Sequence, residues 1–206
     1  MIKNIVFDFG NVIVKFNKEE ILSKFTNNKD EQQFLIDNVI NSPEWLLYGL
    51  LDTGMINIEE AITLINDRTN HQYDTLVEEF MLNYRYHLKE NGDIINLIKK
   101  LKNNGYKLYL LSNICKEVHE AHKDIINELF DGTILSYKIN MIKPYKSIFK
   151  YALDKYNLDP SETLFIDDRS DNVETANSLG IKGRNVNEND YLDILKLLEE
   201  YNIKYD

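Results

Sequence analysis

The sequence predicts an α/β fold: a mostly parallel sheet core with helices on both faces, interrupted near its start by an all-helical insertion. Three observations predict it. Short β-branched or aromatic apolar runs at 5–7, 107–111 and 164–166 alternate with stretches of helical period, the pattern of strands joined by crossover helices. Each run stops abruptly at polar residues, as a buried strand does where it turns into a loop. From about residue 17 to residue 87, by contrast, apolar residues recur at helical spacing without one convincing β run.

In chain order, Ile5-Val6-Phe7 forms the first strand and ends in Asp8, followed by the turn pair Gly10-Asn11. Ligands of open α/β sheets bind outside the carboxyl ends of the strands. Asp8 is therefore the first functional candidate, although aspartate also caps turns on its own account. The insertion follows, with Ile21 and Phe25, then Phe34, Leu35 and Val39, then Ile58, Ala61, Ile62 and Ile65 at helical spacing. Asn57 or Ile58 opens the last of these helices, ahead of Glu59 and Glu60, whose charges suit a helix N-terminus. The least regular part, Trp45 to Met55, holds two glycines, an aromatic pair and an acid. Its aromatics are expected to pack inside the insertion, with Trp45 and Tyr48 as candidates for a substrate-facing lid.

The α/β pattern resumes with a helix carrying Ile94, Ile95, Leu97, Ile98 and Leu101, closed by Asn104-Gly105. The strand at 107–111 ends in Ser112-Asn113, and a helix through Val118 to Phe130 leads to a short strand from Gly132 to Ser136. In Met141-Ile142-Lys143-Pro144 the proline keeps the preceding residue out of a helix, so Lys143 sits on a turn before the helix Tyr145 to Tyr156. The strand at 164–166 ends in Asp167-Asp168, followed by a helix with Val173, Ala176 and Leu179 on one face and Gly180 as its C-cap. A strand around Ile181 to Val186 and a terminal helix from about Asp190 to Tyr201 complete the chain.

Composition narrows the function classes. A net charge of -10 argues against a nucleic-acid-binding face, which needs clustered Lys and Arg, but not against a phosphorylated substrate, because a metal or lysine reverses the field inside a cleft. The single cysteine, Cys115, excludes an internal disulfide and a cysteine-rich zinc site. No apolar run reaches the length of a membrane span, and the chain opens on a strand in place of a signal core. A soluble cytoplasmic protein is expected, and its oligomeric state is left open.

Short right-handed crossovers bring parallel strand ends to one edge. The set that converges there is Asp8, Ser112 with Asn113, Lys143, and Asp167 with Asp168. Adjacent carboxylates at a buried strand end repel one another unless a cation compensates them. Acids without histidine or cysteine beside them favour a hard cation such as Mg2+, which takes oxygen ligands and bridges to phosphate. A lysine, a hydroxyl and backbone N–H groups suit the remaining phosphate oxygens, and an aspartate in line with phosphorus can attack it.

With these motifs in this order, the sequence resembles the haloacid dehalogenase-like hydrolases along nearly its whole length. The matching residues are Asp8-Phe9-Gly10-Asn11-Val12, Leu111-Ser112-Asn113, Lys143-Pro144, and Asp167-Asp168 with Asn172. The resemblance implies a Rossmann-like core over 1–16 and 88–206 and a helical cap over 17–87. It implies Asp8 as nucleophile and metal ligand, the Gly10 carbonyl and Asp168 as further ligands of Mg2+, and Ser112 with the Asn113 backbone as the phosphate cradle. Lys143 becomes the charge tethering nucleophile and phosphoryl group, and Asp167 and Asn172 orient metal-bound waters. Within the family the loop is most similar to bacterial sugar-phosphate phosphatases reading Asp-x-Gly-Asn-Val, which implies glucose 1-phosphate or related small phosphorylated metabolites as substrates. Most phosphatases of the family carry a second aspartate two residues after the nucleophile, as acid and base; here that residue is Gly10. Substrates with good leaving groups, such as anomeric sugar 1-phosphates, are expected to be favoured, since losing a positioned acid costs about 10²–10⁴-fold where the leaving group needs one.

Two alternatives stand beside this reading: a metal-independent 2-haloacid dehalogenase and a non-catalytic phospholigand-binding protein of the same fold. The rest of the polar inventory is expected to be structural. Cys115 reads as a small helix-start residue, His119 and His122 as a solvated helix face, His71 and His87 as cap residues, and Asp171 as a solvated helix N-terminal acid.

Overall fold

The computed structural model describes residues 1–42 and 49–205. Strand β1 (Asn4–Phe7) is followed by β2 (Val14–Lys15) and the helices of the insertion, α1 (Lys18–Leu22), α2 (Lys29–Leu35, continued by a π-turn over Ile36–Ile40), α3 (Ile58–Arg68) and α4 (Asp74–Asn83). A 3-10 turn, Tyr84–His87, leads to β3 (Lys89–Glu90), α5 (Gly92–Asn103), β4 (Lys107–Ser112), α6 (Lys116–Leu129), β5 (Gly132–Leu135), α7 (Ser136–Ile139) and α8 (Lys146–Tyr156). The chain closes with β6 (Thr163–Asp167), α9 (Ser170–Asn177), β7 (Lys182–Asn185) and α10 (Tyr191–Glu200).

The main sheet has five strands in the order β5-β4-β1-β6-β7, and every pairing in it is parallel. β1 thus sits centrally, with the chain running outward through β4 on one side and β6 on the other. Its strand end is the point where the winding reverses, where such sheets bind ligands. Register does the positioning: Phe7 is level with Leu110 of β4 and Ile166 of β6, so Asp8 emerges beside Asp167.

Side chains alternate through the sheet as its pleat requires. Ile5, Phe7, Leu108, Leu110, Leu164 and Ile166 join one apolar cluster, which includes residues of α5, α6 and α10 and runs on into the insertion. Val6, Leu111, Ile134 and Phe165 join a second, against α8 and α9. Each fully buried Leu, Ile or Phe contributes roughly 1.5–3 kcal/mol, and strands buried on both faces account for the uninterrupted apolar runs in the sequence.

Two features depart from what the sequence leads one to expect. β2 and β3 pair antiparallel, Val14 with Glu90 and Lys15 with Lys89, so the chain leaves for the insertion and returns from it side by side. Two-residue strands carry no period to read. The second feature is α6, where His119 and His122, expected on a solvated face, are buried. His122 falls four residues after Val118 and four before Ile126, inside the helix's apolar stripe. Its Nδ1 lies 3.0 Å from Glu90 Oε1 and its ring meets Phe9 edge-on. His119 Nδ1 lies 3.0 Å from the Tyr137 hydroxyl, and burial, with Lys138 nearby, holds its pKa below the usual value.

Asn57 begins α3 in a full capping box: its side chain accepts from the Glu60 N–H at 2.8 Å while Glu60 Oε2 accepts from the Asn57 N–H at 2.9 Å. Just before it, the turn at 49–56 is tied internally by Thr53 N–H to Gly49 O and Gly54 N–H to Leu51 O. It is docked to the core by Asn140 Nδ2, which donates to the Thr53 carbonyl at 2.7 Å. Gly54 has φ +67°, and a Cβ there would run into the Tyr137 carbonyl. Gly54→Ala is therefore expected to cost at least about 1–2 kcal/mol from the left-handed backbone alone. In thermal melting that is a fall of roughly 2–4 °C per kcal/mol for a chain of this size, with the turn displaced from the core.

Candidate active site

Asp8 extends the sheet by one residue, its N–H donating to Ile166 O at 2.9 Å. Its Oδ1 accepts from the Phe9 N–H at 2.7 Å and from Lys143 Nζ at 2.8 Å, which sets the rotation of the carboxylate and leaves Oδ2 without a bond from a described residue. Lys143 Nζ also donates to Asp167 Oδ2 at 2.7 Å, and stands 5.5 Å from the centre of the Phe165 ring. Asp167 is held in turn by the Arg169 N–H at 2.9 Å and by Asn172 Nδ2, which donates to both its oxygens. Lys143 is 2% exposed and Asp167 is wholly buried, so this ion pair and its hydrogen bonds are shielded from solvent screening.

The loops that deliver these side chains are pinned to one another. Asn113, one residue past β4, donates from Nδ2 to Lys143 O at 2.9 Å and accepts at Oδ1 from the Lys143 N–H at 2.8 Å. Its side chain thus fixes the main chain of the lysine. Ser112 is buried, and its hydroxyl makes one long bond, 3.4 Å, to Asn113 O. Arg169 pairs with Asp171 at 2.7 Å on the surface.

Carboxylate oxygens of Asp8, Asp167 and Asp168 all lie within 4.8 Å of one another, with the single Lys143 ammonium among them. Burial pushes the Asp8 carboxyl above its usual range, Asp167 adds to this and Lys143 opposes it. Burial, with Asp8 and then Asp167 beside it, raises Asp168 to about 7. Lys143 moves the other way: burial disfavours its charge, but Asp167 and Asp8 outweigh burial and hold its pKa above the usual value.

These residues fit a divalent cation on two counts. Charge is one, since three carboxylates crowd a single ammonium, and the burial and mutual repulsion that raise Asp8 and Asp168 are what a cation would relieve. The other is Asn172: with Nδ2 committed to Asp167, its Oδ1 is buried with no hydrogen-bond partner among the described residues. The donors are all oxygen, the preference of a hard cation.

Asp8, Gly10, Asn113, Lys143, Asp168 and Asn172 line one cavity of about 230 Å³. A second, of about 390 Å³, adjoins it through Gly10, Asn11, Asp52 and Asn113 and includes Ser112. Its wall is largely apolar, with Phe9, Val14, Phe16, Ile40, Leu88 and Val118. The structure thus gathers Asp8, Gly10, Ser112, Asn113, Lys143, Asp167, Asp168 and Asn172 at one edge. Trp45 and Tyr48, the expected lid residues, lie outside the described residues. Cys115 caps α6 and is buried, and burial pushes its thiol up to about 12, so it is no nucleophile at neutral pH.

Sequence reasoning missed Asp52. It comes from the insertion, lines both cavities and makes no hydrogen bond or ion pair with a described residue. The signal was present as the one acid in the otherwise apolar stretch before Thr53, but nothing local says where it points.

A family model described as haloacid dehalogenase-like hydrolase matches residues 2–180. A D-ribitol-5-phosphate phosphatase of Bacteroides thetaiotaomicron is 28% identical over 197 residues, covering 88% of this chain and 90% of that protein. A sesquiterpene phosphatase of Aspergillus oryzae is 24% identical over 185 residues, covering 88% of each. A crystal structure of a family enzyme from B. thetaiotaomicron in complex with magnesium and inorganic phosphate superposes with a TM-score of 0.76 at 24% identity, covering 95% of this chain and 99% of that one. The fold is shared across that structure.

Proposed function

Because this chain belongs to the haloacid dehalogenase-like hydrolases, we propose that it is a Mg2+-dependent phosphomonoester hydrolase that forms an aspartyl phosphate on Asp8. The observation that carries the reading is Lys143 bridging Asp8 and Asp167 beside Asp168. An anionic carboxylate substrate would be repelled by three carboxylates at the reacting edge, which weighs against a metal-independent 2-haloacid dehalogenase.

In this reading Asp8, the Gly10 carbonyl and Asp168 would hold Mg2+, which when bound would supply positive charge to offset that of the phosphoryl oxygens at the acidic edge. Asp8 attacks phosphorus with the oxygen that Lys143 leaves free. Lys143 orients that carboxylate and stabilises the phosphoryl group beside it. Asn172 holds Asp167, which in turn holds Lys143; both would orient waters of a bound metal, and Ser112 with the Asn113 N–H receives the remaining phosphate oxygens. The segment 17–87 acts as a cap over this edge. The related phosphatase and the magnesium- and phosphate-bound structure support the choice of metal and of reaction.

Substrates are small phosphorylated metabolites. Glucose 1-phosphate and related sugar phosphates are one arm, from the Asp-x-Gly-Asn-Val loop. The apolar wall of the larger cavity favours a second arm, phosphates of alcohols with fewer hydroxyls, because unpaired sugar hydroxyls against Phe16, Ile40 and Leu88 are costly. Hydrolysis of p-nitrophenyl phosphate is expected to require Mg2+, to stop in EDTA and to return when Mg2+ is restored. Turnover that is absent, or indifferent to EDTA, overturns the reading and moves the weight to the dehalogenase or to the non-catalytic phospholigand-binding protein, which a haloacid assay then separates. A panel of glucose 1-phosphate, glucose 6-phosphate and an apolar alkyl phosphate then ranks the arms.

A further inference from the structure

We propose that Asp52 is the general acid and base of this reaction, reaching the nucleophile's cavity from the inserted segment. The inference rests on the phosphatase reading, and begins from what each acid around the cavity is already doing. Asp8 is the nucleophile and Asp168 faces the cation, while Asp167 is closed in by Lys143 and Asn172. Asp171 is turned to Arg169 on the surface. Asp52 is the acid among the described lining residues with no task.

Its surroundings suit proton transfer. Asp52 lines the junction between the cavity of the nucleophile and the larger cavity, where the bond to the leaving group has to lie. A turn aspartate normally spends its carboxylate on nearby N–H groups, as Asp159 does on Ser161 and Asp190 on Leu192. Asp52 spends none, although its turn is bonded to the core through Thr53 and Asn140. The loop is held and the carboxyl is free. At Gly10, which lines the same two cavities, a Cβ would meet no atom within 4 Å, so the space beside the nucleophile loop is open.

The charges around Asp52 favour a shared proton. Burial raises its pKa to about 7, with the negative charges of Asp8 and Glu117 adding to the effect. Tyr84 and Cys115, in the larger cavity with it, stay protonated because burial raises both. Of the cations, Lys143 is committed to Asp8 and Asp167, and Arg169 to Asp171, while Lys18 lines the larger cavity alone. A group titrating near the working pH serves best in both directions.

The steps balance. An Asp8 oxygen forms a bond to phosphorus as the bond from phosphorus to the alcohol oxygen breaks; that oxygen keeps the electron pair and takes the proton of Asp52. The Asp52 carboxylate then takes a proton from water, whose oxygen bonds to phosphorus while the Asp8 oxygen leaves as carboxylate. Inorganic phosphate departs and Asp52 is protonated again. With an acid supplied this way, the preference for good leaving groups expected from Gly10 disappears.

Asp52→Asn tests this on p-nitrophenyl phosphate and benzyl phosphate, assayed with Mg2+. The kcat/KM for benzyl phosphate is expected to fall about 10²–10⁴-fold, and that for p-nitrophenyl phosphate, whose leaving group needs no acid, by less than about tenfold. The second step loses its base, so nitrophenolate appears in a burst and acid-labile phosphate accumulates on Asp8. For benzyl phosphate the wild-type decline of kcat/KM as pH rises past about 7 vanishes in the variant. Adding Gly10→Asp to Asp52→Asn restores benzyl phosphate turnover. Equal losses on both substrates, no loss on either, or no accumulation of phosphoenzyme overturns the proposal while leaving the phosphatase reading intact. Wild-type turnover that survives EDTA or Asp8→Asn overturns the phosphatase reading itself, and this inference with it.

Discussion

Asp8→Asn is expected to abolish turnover while leaving the protein as stable as before or more so. Removing a covalent nucleophile costs on the order of 10⁶-fold in kcat, and the neighbouring Asp167 cannot replace it, being closed in by Lys143 and Asn172. Stability follows the opposite sign. A carboxyl whose pKa is raised in the folded protein by burial is one whose ionised form the fold disfavours, so at neutral pH it subtracts from stability. An amide of the same shape removes that charge and still accepts the Phe9 and Lys143 hydrogen bonds through Oδ1. Turnover and thermal melting on the same sample check it. Residual kcat within tenfold of wild type overturns Asp8 as nucleophile, and a large drop in Tm overturns the electrostatic account.

Lys143→Met is expected to damage both activity and stability. The ammonium joins Asp8 and Asp167, at 2.8 and 2.7 Å, and all three residues are buried. Removing one partner of a buried ion pair leaves the others uncompensated and costs about 3–5 kcal/mol, a fall in Tm of roughly 6–20 °C at 2–4 °C per kcal/mol. The pH dependence has a definite sign. Lys143's folded pKa is raised, so its contribution is complete below the unfolded value of about 10.4 and is lost only as pH climbs through the folded one. In the variant, Asp8 loses the lysine charge that opposed the rise in its pKa. The deficit is therefore largest at neutral pH and shrinks as acidification protonates Asp8. Melting curves of both proteins across mildly acidic to neutral pH measure it, and a deficit that does not change with pH points to lost packing over Phe165 in place of lost charge.

The fold was legible because its cues are local. Ile5-Val6-Phe7 and Leu164-Phe165-Ile166 are strands buried on both faces, and such strands announce themselves as unbroken apolar runs ending in Asp. The site was legible for the same reason: Asp8, Ser112, Lys143 and Asp167 each sit at or just beyond a strand or helix boundary, so parallel topology alone carries them to one edge. What failed depended on partners. His122 was expected in water because a helix's polar residues are usually its solvated ones, yet Phe9 and Glu90 cover it. The side chain of Asn113 pins Lys143 in addition to the backbone role expected of it, a contact that no local pattern encodes.

By itself, then, the sequence determined the order of the parallel strands along the chain, the polar residues at their ends and the helical character of the insertion, since these follow from periodicities of two and 3.6 residues and from turn chemistry. Tertiary structure alone decided which carboxylates are dry, which oxygen of Asp8 is bonded and where Asp52 stands. Desolvation, and the pKa changes that follow from it, depend on atoms brought in from distant parts of the chain. Asp52 lies 44 positions after Asp8, on a turn whose place is set by Asn140 and by the absence of a side chain on Gly54, and no local pattern encodes that docking.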